Sequence, residues 1–458
     1  MAKKTIKKIR SGFFDRGLSL TKIAVKSSSS IAANSMKNIF SDKDTKHSSF
    51  QALLEAQAKL LANELGHLKG SLMKVGQMMA LYGEHFFPKE VVKALKALNE
   101  DSPPLDWEAI APIIQKRLSP EQMELLEIDR DALAAASMGQ VHKATIKQTG
   151  EVICLKIQYP GVSKAIDNDI KALKSMLTML KVIPKNSSGF EDMLSEVRTM
   201  LRHEVDYERE LSYTDVMYGL LKDDSRFVVP KTYPQFSSKK LIATSFEEGV
   251  GIDSKEVDSL NQDRKHQLAE SYAFLFLAEL FDYGLMQTDP HFGNYKIRID
   301  QNGKQDQIIL LDFGAIRKFP KTFLHDYKSM LKGIFYNRRE ESINAATKVG
   351  YLAPDDSEKL HDQFWKLTQL VIEPWLHKDD PRANQSLLSR KGHYLWAHSD
   401  LPSRVTKMGA EYALTFKMRP PPKEVVFLDR KIGGVFIVLK TLEAQFDGHQ
   451  LMKSFLEN

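Results

Sequence analysis

The sequence predicts an α+β fold in which a helical segment precedes a small strand-containing lobe and a large helical lobe. Two apolar runs, Val141–Ile146 and Glu151–Ile157, flank a turn signal at residues 148–150 and predict a β-hairpin. Apolar residues recur at helical spacing across residues 50–81, and the pattern after Gly249 is mostly helical. The order of these patterns predicts two lobes of unlike architecture.

Four segments are expected along the chain. Residues 1–48 form a basic, Ser-rich lead-in, because the first 50 residues carry 11 Lys or Arg against 3 Asp or Glu. A helical extension covers residues 49–130, the strand-containing lobe covers residues 131–248, and the helical lobe covers residues 249–458. The other predicted elements are helices at 165–182 and 190–221 and strands at 227–229, 240–245, 295–299 and 307–311, the last two flanking the hairpin dipeptide Asn302-Gly303.

Composition places the chain among ordinary globular proteins and excludes several kinds of site. Of its 458 residues, 42% are hydrophobic and 27% are charged, which is enough apolar material for a substantial core. The single cysteine, Cys154, excludes a disulfide framework and a cysteine-rich metal site. The net charge of +6 is mild and its excess lies in the lead-in, so no nucleic-acid partner is expected.

The N-terminal residues bear on location. No stretch reaches the roughly 18 uninterrupted apolar residues that span a bilayer, and Met1–Arg10 lacks the apolar core of a secretory signal. The sequence therefore predicts a cytoplasmic protein. Its basic lead-in, interleaved with Phe13, Phe14 and Leu18, is a candidate for peripheral contact with an inner membrane. Import into an organelle stays open, because the start of the chain is rich in Ser and poor in acids.

Two features of the strand-containing lobe suggest phosphate binding. The small residues Ala134, Ala135, Ala136 and Ser137 predict a loop whose backbone N–H groups could approach a phosphate closely. Lys156 ends an apolar strand and is a candidate point charge for nucleotide phosphates. Each feature alone has an ordinary explanation, since an alanine run is usually helical and a strand-end lysine usually reaches solvent.

Three polar residues of the helical lobe suggest a metal site. Asp289 and Asn294 lie five positions apart in a Gly/Pro-containing loop, and Asp312 ends a buried apolar run before Phe313-Gly314. Carboxylate and amide oxygens suit Mg²⁺. An Asx turn or a plain strand exit would explain each residue without a ligand.

The order of these features is more informative than any one of them. A small-residue loop, a strand lysine, a helical glutamate, Asp-x4-Asn and Asp-Phe-Gly follow one another as they do in protein kinases. The sequence therefore predicts a bilobal, protein-kinase-like fold that binds ATP or ADP with Mg²⁺.

The sequence resembles the AarF/UbiB/ADCK family of atypical kinases, strongly over residues 65–315 and more loosely to Gly434. The matching segments are Lys74-Val75-Gly76-Gln77, Ala134–Ser137, Lys156–Val162, Glu204-Val205-Asp206-Tyr207, Gln287–Pro290 and Leu311–Ala315. The alanine-rich segment takes the place of the usual glycine-rich loop. Residues 1–48 lie outside this resemblance.

The resemblance implies a role for each matching residue. The implied nucleotide-binding residues are Ala134, Ala135, Ala136, Ser137, Lys156 and Glu204, with Lys156 also catalytic and Glu204 its ion-pair partner. Asp289 would be the catalytic aspartate, and Asn294 and Asp312 the metal ligands. Lys74 and Gln77 would belong to an extension that enters the active site, with Asp206 and Glu210 as their polar neighbours.

The resemblance also implies ATP use in the biosynthesis of ubiquinone or related prenyl lipids, with enzymes of that pathway as expected partners. The chain has no His-Arg-Asp motif and no long activation segment, and with the extension these departures imply an occluded peptide site. Two alternatives stay open: a Ser/Thr protein kinase, and a nucleotide-gated, non-catalytic scaffold or chaperone for membrane enzymes.

Overall fold

The computed structural model describes residues 74–76, 78–79, 91–92, 95, 104–135, 138–179, 188–415 and 422–457. The predicted lead-in, Gln77, Ala136 and Ser137 lie outside the described residues. The chain divides into two compact units: the first contains residues up to Ser212 together with Lys231–Phe246, and the second contains Tyr213–Pro230 and the residues from Glu247 onward. Residues 213–230, which the sequence interpretation placed in the strand-containing lobe, thus group with the second unit.

The elements are numbered here in chain order. The strands are β1 Leu126–Ala135, β2 Gly139–Ile146, β3 Val152–Gln158, β4 Phe227–Val228, β5 Leu241–Ser245, β6 Val250–Gly251, β7 Leu285–Gln287, β8 Tyr295–Arg298, β9 Gln307–Leu310 and β10 Ile316–Lys318. The helices are α1 Trp107–Gln115, α2 Pro120–Leu125, α3 Val162–Met179, α4 Ser188–Glu204, α5 Tyr207–Leu221, α6 Lys255–Asp258, α7 Gln262–Phe281, α8 Lys321–Phe335, α9 Arg339–Val349, α10 Glu358–Ile372, α11 Leu401–Thr415, α12 Lys423–Thr441 and α13 Gly448–Glu457.

The first unit is built on an antiparallel sheet in the order β1-β2-β3-β5. The predicted hairpin is confirmed as β2 and β3, with Val141 opposite Lys156. Alternate residues of β3 are buried, which is the period-two pattern of a strand with one face on a core.

The small-residue segment differs from its prediction. Ala134 and Ala135 are the last residues of β1 and pair with Val141 and Gln140, so they are strand residues and not loop residues. Register shifts between Ile128 and Ala134 mark irregular pairing just before them. Such bulges re-aim a strand near its end.

The helix predicted across residues 190–221 is two helices, α4 and α5. The break falls at Val205 and Asp206, where Asp206 caps the second helix. Its Oδ1 accepts the N–H of Arg209 at 3.0 Å, and its carbonyl accepts the N–H of Glu210 at 3.1 Å. An aspartate at the N-cap satisfies donors that a continuous helix would satisfy internally, and therefore stabilises a new helix start.

The second unit surrounds α7, eleven of whose residues are buried. A helix with apolar residues on most of its surface is suited to the centre of a unit. Beside it lie a sheet in the order β4-β9-β8-β6 and the two-stranded sheet of β7 and β10. The predicted hairpin around Asn302-Gly303 is confirmed as β8 and β9, with Tyr295 opposite Leu310. In the part of the chain described, no helix is both long enough and apolar enough to cross a membrane.

Candidate active site

The predicted site residues that the structure describes fall into two clusters, one in each unit. The lysine cluster of the first unit centres on Lys156, which lies in the middle of the sheet between Val141 of β2 and Ile242 of β5. Its Nζ lies 2.7 Å from Oε1 of Glu210, in the first turn of α5. Glu210 is only 5% exposed, so this ion pair is largely shielded from water. The Nζ also lies 5.5 Å from the centre of the Tyr207 ring, within cation–π range.

The ion pairs correct the partner assigned from the sequence. Glu204 was expected to pair with Lys156, but the structure shows Lys74 Nζ 2.9 Å from Glu204 Oε1. Because α4 ends at Glu204 and Asp206 caps the start of α5, Glu204 and Glu210 lie on different helices. Glu210 is therefore the partner that the structure shows for Lys156, and Glu204 pairs with a residue of the extension.

Two residues without a predicted role shape this cluster. A Cβ on Gly139 would lie 2.6 Å from the carbonyl oxygen of Ile157 and 2.9 Å from the Tyr207 hydroxyl, so only glycine fits there. The side-chain amide of Gln158 donates to the Val205 carbonyl at 2.7 Å. This bond ties the end of β3 to the break between α4 and α5, and so supports the positions of both acids.

A buried polar network anchors the segment before α1 to the sheet of the first unit. Oε1 of Gln140 accepts from the Leu105 N–H at 2.8 Å and from the Tyr159 hydroxyl at 3.1 Å. Its amide nitrogen therefore faces Nε2 of His142 at 2.7 Å, while Nδ1 of His142 lies 2.8 Å from the Asp129 carbonyl. An imidazole that donates from Nδ1 and accepts at Nε2 is neutral. Burial lowers the pKa of His142, in agreement with this arrangement, and raises the pKa of Tyr159 to about 12.

The loop cluster of the second unit joins Asp289, Asn294 and Asp312. The amide of Gln287 connects the two acid-bearing segments, because Oε1 accepts the Asp289 N–H at 3.0 Å and Nε2 donates to the Asp312 carbonyl. Gln287 also pairs with Ile316 across β7 and β10. The strands before Asp289 and after Asp312 are thus held side by side.

Further hydrogen bonds fix the polar side chains of this cluster. The Asn294 amide donates to the Asp289 carbonyl at 2.9 Å, and the Asn294 carbonyl accepts the N–H of Leu311 at 3.0 Å. Oδ1 of Asp312 accepts the N–H of Gly314 at 2.9 Å. Asp289 and Asn294, in one loop, and Asp312, 18 positions further along the chain, are therefore parts of one hydrogen-bonded assembly.

The donors in the loop cluster fit Mg²⁺ bound together with phosphates. Asn294 uses its amide nitrogen within the protein, which leaves its amide oxygen as a donor to a cation, and Asp312 offers a carboxylate. Among the described residues no group of three or more His, Cys, Asp or Glu could hold a metal. Mg²⁺ commonly takes one or two protein oxygens and completes its shell with water and substrate phosphates, so this donor set suits it better than a metal held by protein alone.

Helix α12 contributes contacts to the loop cluster that the sequence did not reveal. Nη2 of Arg430 lies 2.7 Å from Oδ1 of Asp289. The next residue, Lys431, forms an almost fully buried ion pair with Glu279 at 2.9 Å. In the sequence, the segment containing both residues resembles the AarF/UbiB/ADCK family only loosely, and the resemblance implies no catalytic or binding role for either residue. Its one local signal is a pair of adjacent basic residues beside the apolar run that ends the helix.

Comparisons with known proteins give a family match for much of the chain. Residues 97–346 match the family model of the ABC1 atypical kinase-like domain. The chain is 27% identical over 405 residues to the mitochondrial atypical kinase COQ8 of Saccharomyces cerevisiae, covering 88% of this chain and 76% of that protein. It is 30% identical over 396 residues to the mitochondrial atypical kinase COQ8B of Danio rerio, covering 86% and 60%. It is 27% identical over 428 residues to the probable serine/threonine-protein kinase abkA of Dictyostelium discoideum, covering 89% and 72%.

A solved structure supports the fold. The Rv3197 protein of Mycobacterium tuberculosis, determined as an erythromycin complex, matches with a TM-score of 0.55 and 23% identity. The match covers 90% of this chain and 98% of that one. The family model spans more than half of the sequence and includes the strand lysine, the segment Gln287–Pro290 and Asp-Phe-Gly. The chain therefore belongs to the ABC1 atypical kinase-like family, and it is an enzyme of the atypical kinase class.

Proposed function

We propose that this protein binds ATP with Mg²⁺ and transfers the γ-phosphoryl group to a small molecule or to water, in support of ubiquinone or related prenyl-lipid biosynthesis. The observation that carries the proposal is the loop cluster, in which Asp289, Asn294 and Asp312 are joined by hydrogen bonds. Such preorganisation places charged and polar groups before the substrate arrives, and phosphoryl transfer depends mainly on positioning and electrostatics.

Each residue has a defined task in this reaction. Lys156 carries its positive charge to the nucleotide phosphates, and Glu210 holds its ammonium group in place. Asn294 and Asp312 would hold Mg²⁺, which would neutralise phosphate charge when it is bound. Asp289 orients the acceptor and takes its proton. Ala134 and Ala135 lie at the end of β1, beside the backbone that would approach the nucleotide.

The acceptor is proposed to be small because the chain offers little platform for a protein substrate. Only residues 315–320 separate Asp312-Phe313-Gly314 from α8, and three of these form β10, paired with β7. The segment that carries peptide substrates in ordinary kinases is correspondingly short. The Lys74–Glu204 pair adds a contact from the extension to the helices beside the lysine cluster.

The test compares wild type with Asp312→Asn in two measurements, ATP binding and Mg²⁺-dependent phosphate release, with and without a quinone-like lipid. We expect the variant to lose phosphate release by at least about 100-fold, since an amide cannot replace the carboxylate charge at the metal. Equal phosphate release by both proteins would contradict a catalytic role for this cluster. Nucleotide binding with no turnover in wild type would favour the non-catalytic scaffold.

A Ser/Thr protein kinase is the second candidate, favoured by the name of the Dictyostelium relative. It predicts incorporation of labelled phosphate into a peptide or protein in trans. The proposed small-molecule activity predicts no such incorporation above the level of Asp312→Asn.

We also propose that the basic lead-in holds the protein at the surface of an inner membrane, near enzymes that handle prenyl lipids. The support is the positive charge of residues 1–50 and the mitochondrial designation in the names of the COQ8 relatives. Flotation with anionic liposomes should fall when residues 1–48 are deleted. Unchanged flotation would remove the lead-in from this role.

A further inference from the structure

Helix α12 contacts the loop that carries Asp289 at neighbouring positions along one face. A Cβ on Gly434 would lie 2.1 Å from Cβ of Pro290, so the helix backbone packs directly on the residue after Asp289. One turn earlier, Lys431 lies 2.9 Å from Glu279 and 3.2 Å from the Tyr295 hydroxyl, all of them buried. These contacts fix the helix against both ends of the loop.

Arg430 reaches the Asp289 carboxylate from this fixed helix. The backbone of Asp289 is already held on both sides, since its N–H donates to Gln287 and its carbonyl accepts from Asn294. The remaining freedom is rotation of the carboxylate about its side-chain bonds. The contact from Arg430 Nη2 to Oδ1 at 2.7 Å restricts that rotation.

The contact engages one carboxylate oxygen. Within the described part of the chain, Oδ2 of Asp289 has no hydrogen-bond partner, and the side chain keeps 23% of its surface exposed. A bidentate pair would occupy both oxygens, as arginine often does with carboxylates. A single contact fixes the orientation and leaves an oxygen for an incoming hydroxyl group or water.

We propose that Arg430 is a positioning residue for Asp289, and that it aims the second carboxylate oxygen at the phosphoryl acceptor. This inference rests on the proposed function, because it assigns to Asp289 the task of orienting the acceptor. It adds that the orientation is set by a residue 141 positions away, on a helix outside the segments that resemble kinase motifs. Arg430 acts through Asp289 and does not itself contact the nucleotide in this proposal.

The test uses the full-length chain with Arg430→Ala, Arg430→Gln and Arg430→Lys. The first two should lower kcat for ATP turnover about 10- to 100-fold, because a misoriented base loses the benefit of positioning. The KM for ATP and the affinity for a non-hydrolysable ATP analogue should stay within about twofold, since no nucleotide contact is lost. Arg430→Lys should retain more activity than Arg430→Ala, because an ammonium group can still pair with the carboxylate.

Lys423→Ala is the matched control, because Lys423 is an exposed cation on the same helix. It should leave kcat and the thermal midpoint unchanged.

Unchanged or increased kcat in all three Arg430 variants would overturn the proposal. The proposal would also be overturned if kcat and the affinity for the ATP analogue fell by similar factors and the thermal midpoint fell as well. That result would indicate a structural role for Arg430. A wild type without Mg²⁺-dependent turnover would overturn the proposed function, and this inference with it.

Discussion

At the residue scale, the two acids near the lysine cluster have separate partners. Glu210 contacts Lys156 and is 5% exposed, whereas Glu204 contacts Lys74 and is 28% exposed. The sequence could not assign them, because both lie in one helical pattern six positions apart. The N-cap at Asp206 separates them onto two helices, and its side chain accepts the Arg209 N–H at the start of the second helix.

Neutralising these acids should therefore have unequal effects. Glu210→Gln removes the counter-charge of a partly buried lysine, so we expect a loss of about 1–3 kcal/mol in unfolding free energy and at least tenfold weaker ATP binding. Glu204→Gln should change ATP affinity by a smaller factor, because Lys156 keeps its partner. Chemical denaturation and nucleotide titration measure both quantities. Equal losses of ATP affinity in the two variants would support the prediction from the sequence, in which Glu204 is the ion-pair partner of Lys156.

His142 gives the first unit a dependence on pH. Burial lowers the pKa of its imidazole, so the unfolded chain takes up a proton at about pH 6.5 while the folded chain stays neutral. The unfolded state then binds more protons, and unfolding free energy should fall as the pH drops below about 6.5, by up to about 1.4 kcal/mol per pH unit.

Denaturation at a series of pH values measures this slope. His142→Gln should make this slope shallower, whereas His325→Gln, which alters a side chain that is 80% exposed, should leave it as in wild type. Burial also lowers the pKa of His266 and of His449, so part of the slope should remain. A slope as steep in His142→Gln as in wild type would contradict the neutral, buried state of this histidine.

At the element scale, hairpins were predictable and helix-to-loop contacts were not. The turn signals at residues 148–150 and at Asn302-Gly303 each lie between apolar runs, and both hairpins formed with the expected pairing. Local sequence patterns are enough to predict which strands pair in a hairpin. The contact of Arg430 with Asp289 joins residues 141 positions apart, and no local pattern encodes it.

Adjacent glycines of α12 provide a matched pair for testing the packing of this helix. A Cβ on Gly434 would lie 2.1 Å from Pro290 Cβ, while a Cβ on Gly433 would meet nothing within 4 Å. We expect Gly433→Ala to stabilise the helix by up to about 1 kcal/mol through its higher helix propensity. Gly434→Ala should lower turnover at least tenfold and reduce the thermal midpoint, because it displaces the loop beside Asp289.

Thermal unfolding and ATP turnover of both variants test whether the two substitutions have these unequal effects. Equal thermal midpoints and equal turnover in Gly433→Ala and Gly434→Ala would contradict the close packing of α12 on the loop that carries Asp289.

At the scale of the whole molecule, the order of motifs predicted the fold class and the family before any contact was known. Lys156 lies in one compact unit, and Asp289, Asn294 and Asp312 lie in the other, where hydrogen bonds join them. The small-residue segment was less predictable, because Ala134 and Ala135 pair in β1 where a loop was expected. Strand pairing by small residues depends on the neighbouring strand, and β-propensity alone does not reveal it.

We propose that this atypical kinase transfers the γ-phosphoryl group to water or a small molecule and not to proteins. The most direct measurement follows the label from γ-labelled ATP in the presence of Mg²⁺, a quinone-like lipid and a mixture of protein substrates. We expect labelled inorganic phosphate or a labelled small molecule, dependent on Asp289 and Asp312, with no protein labelling above the Asp312→Asn background. Labelling of added proteins by wild type, abolished in Asp312→Asn, would contradict it.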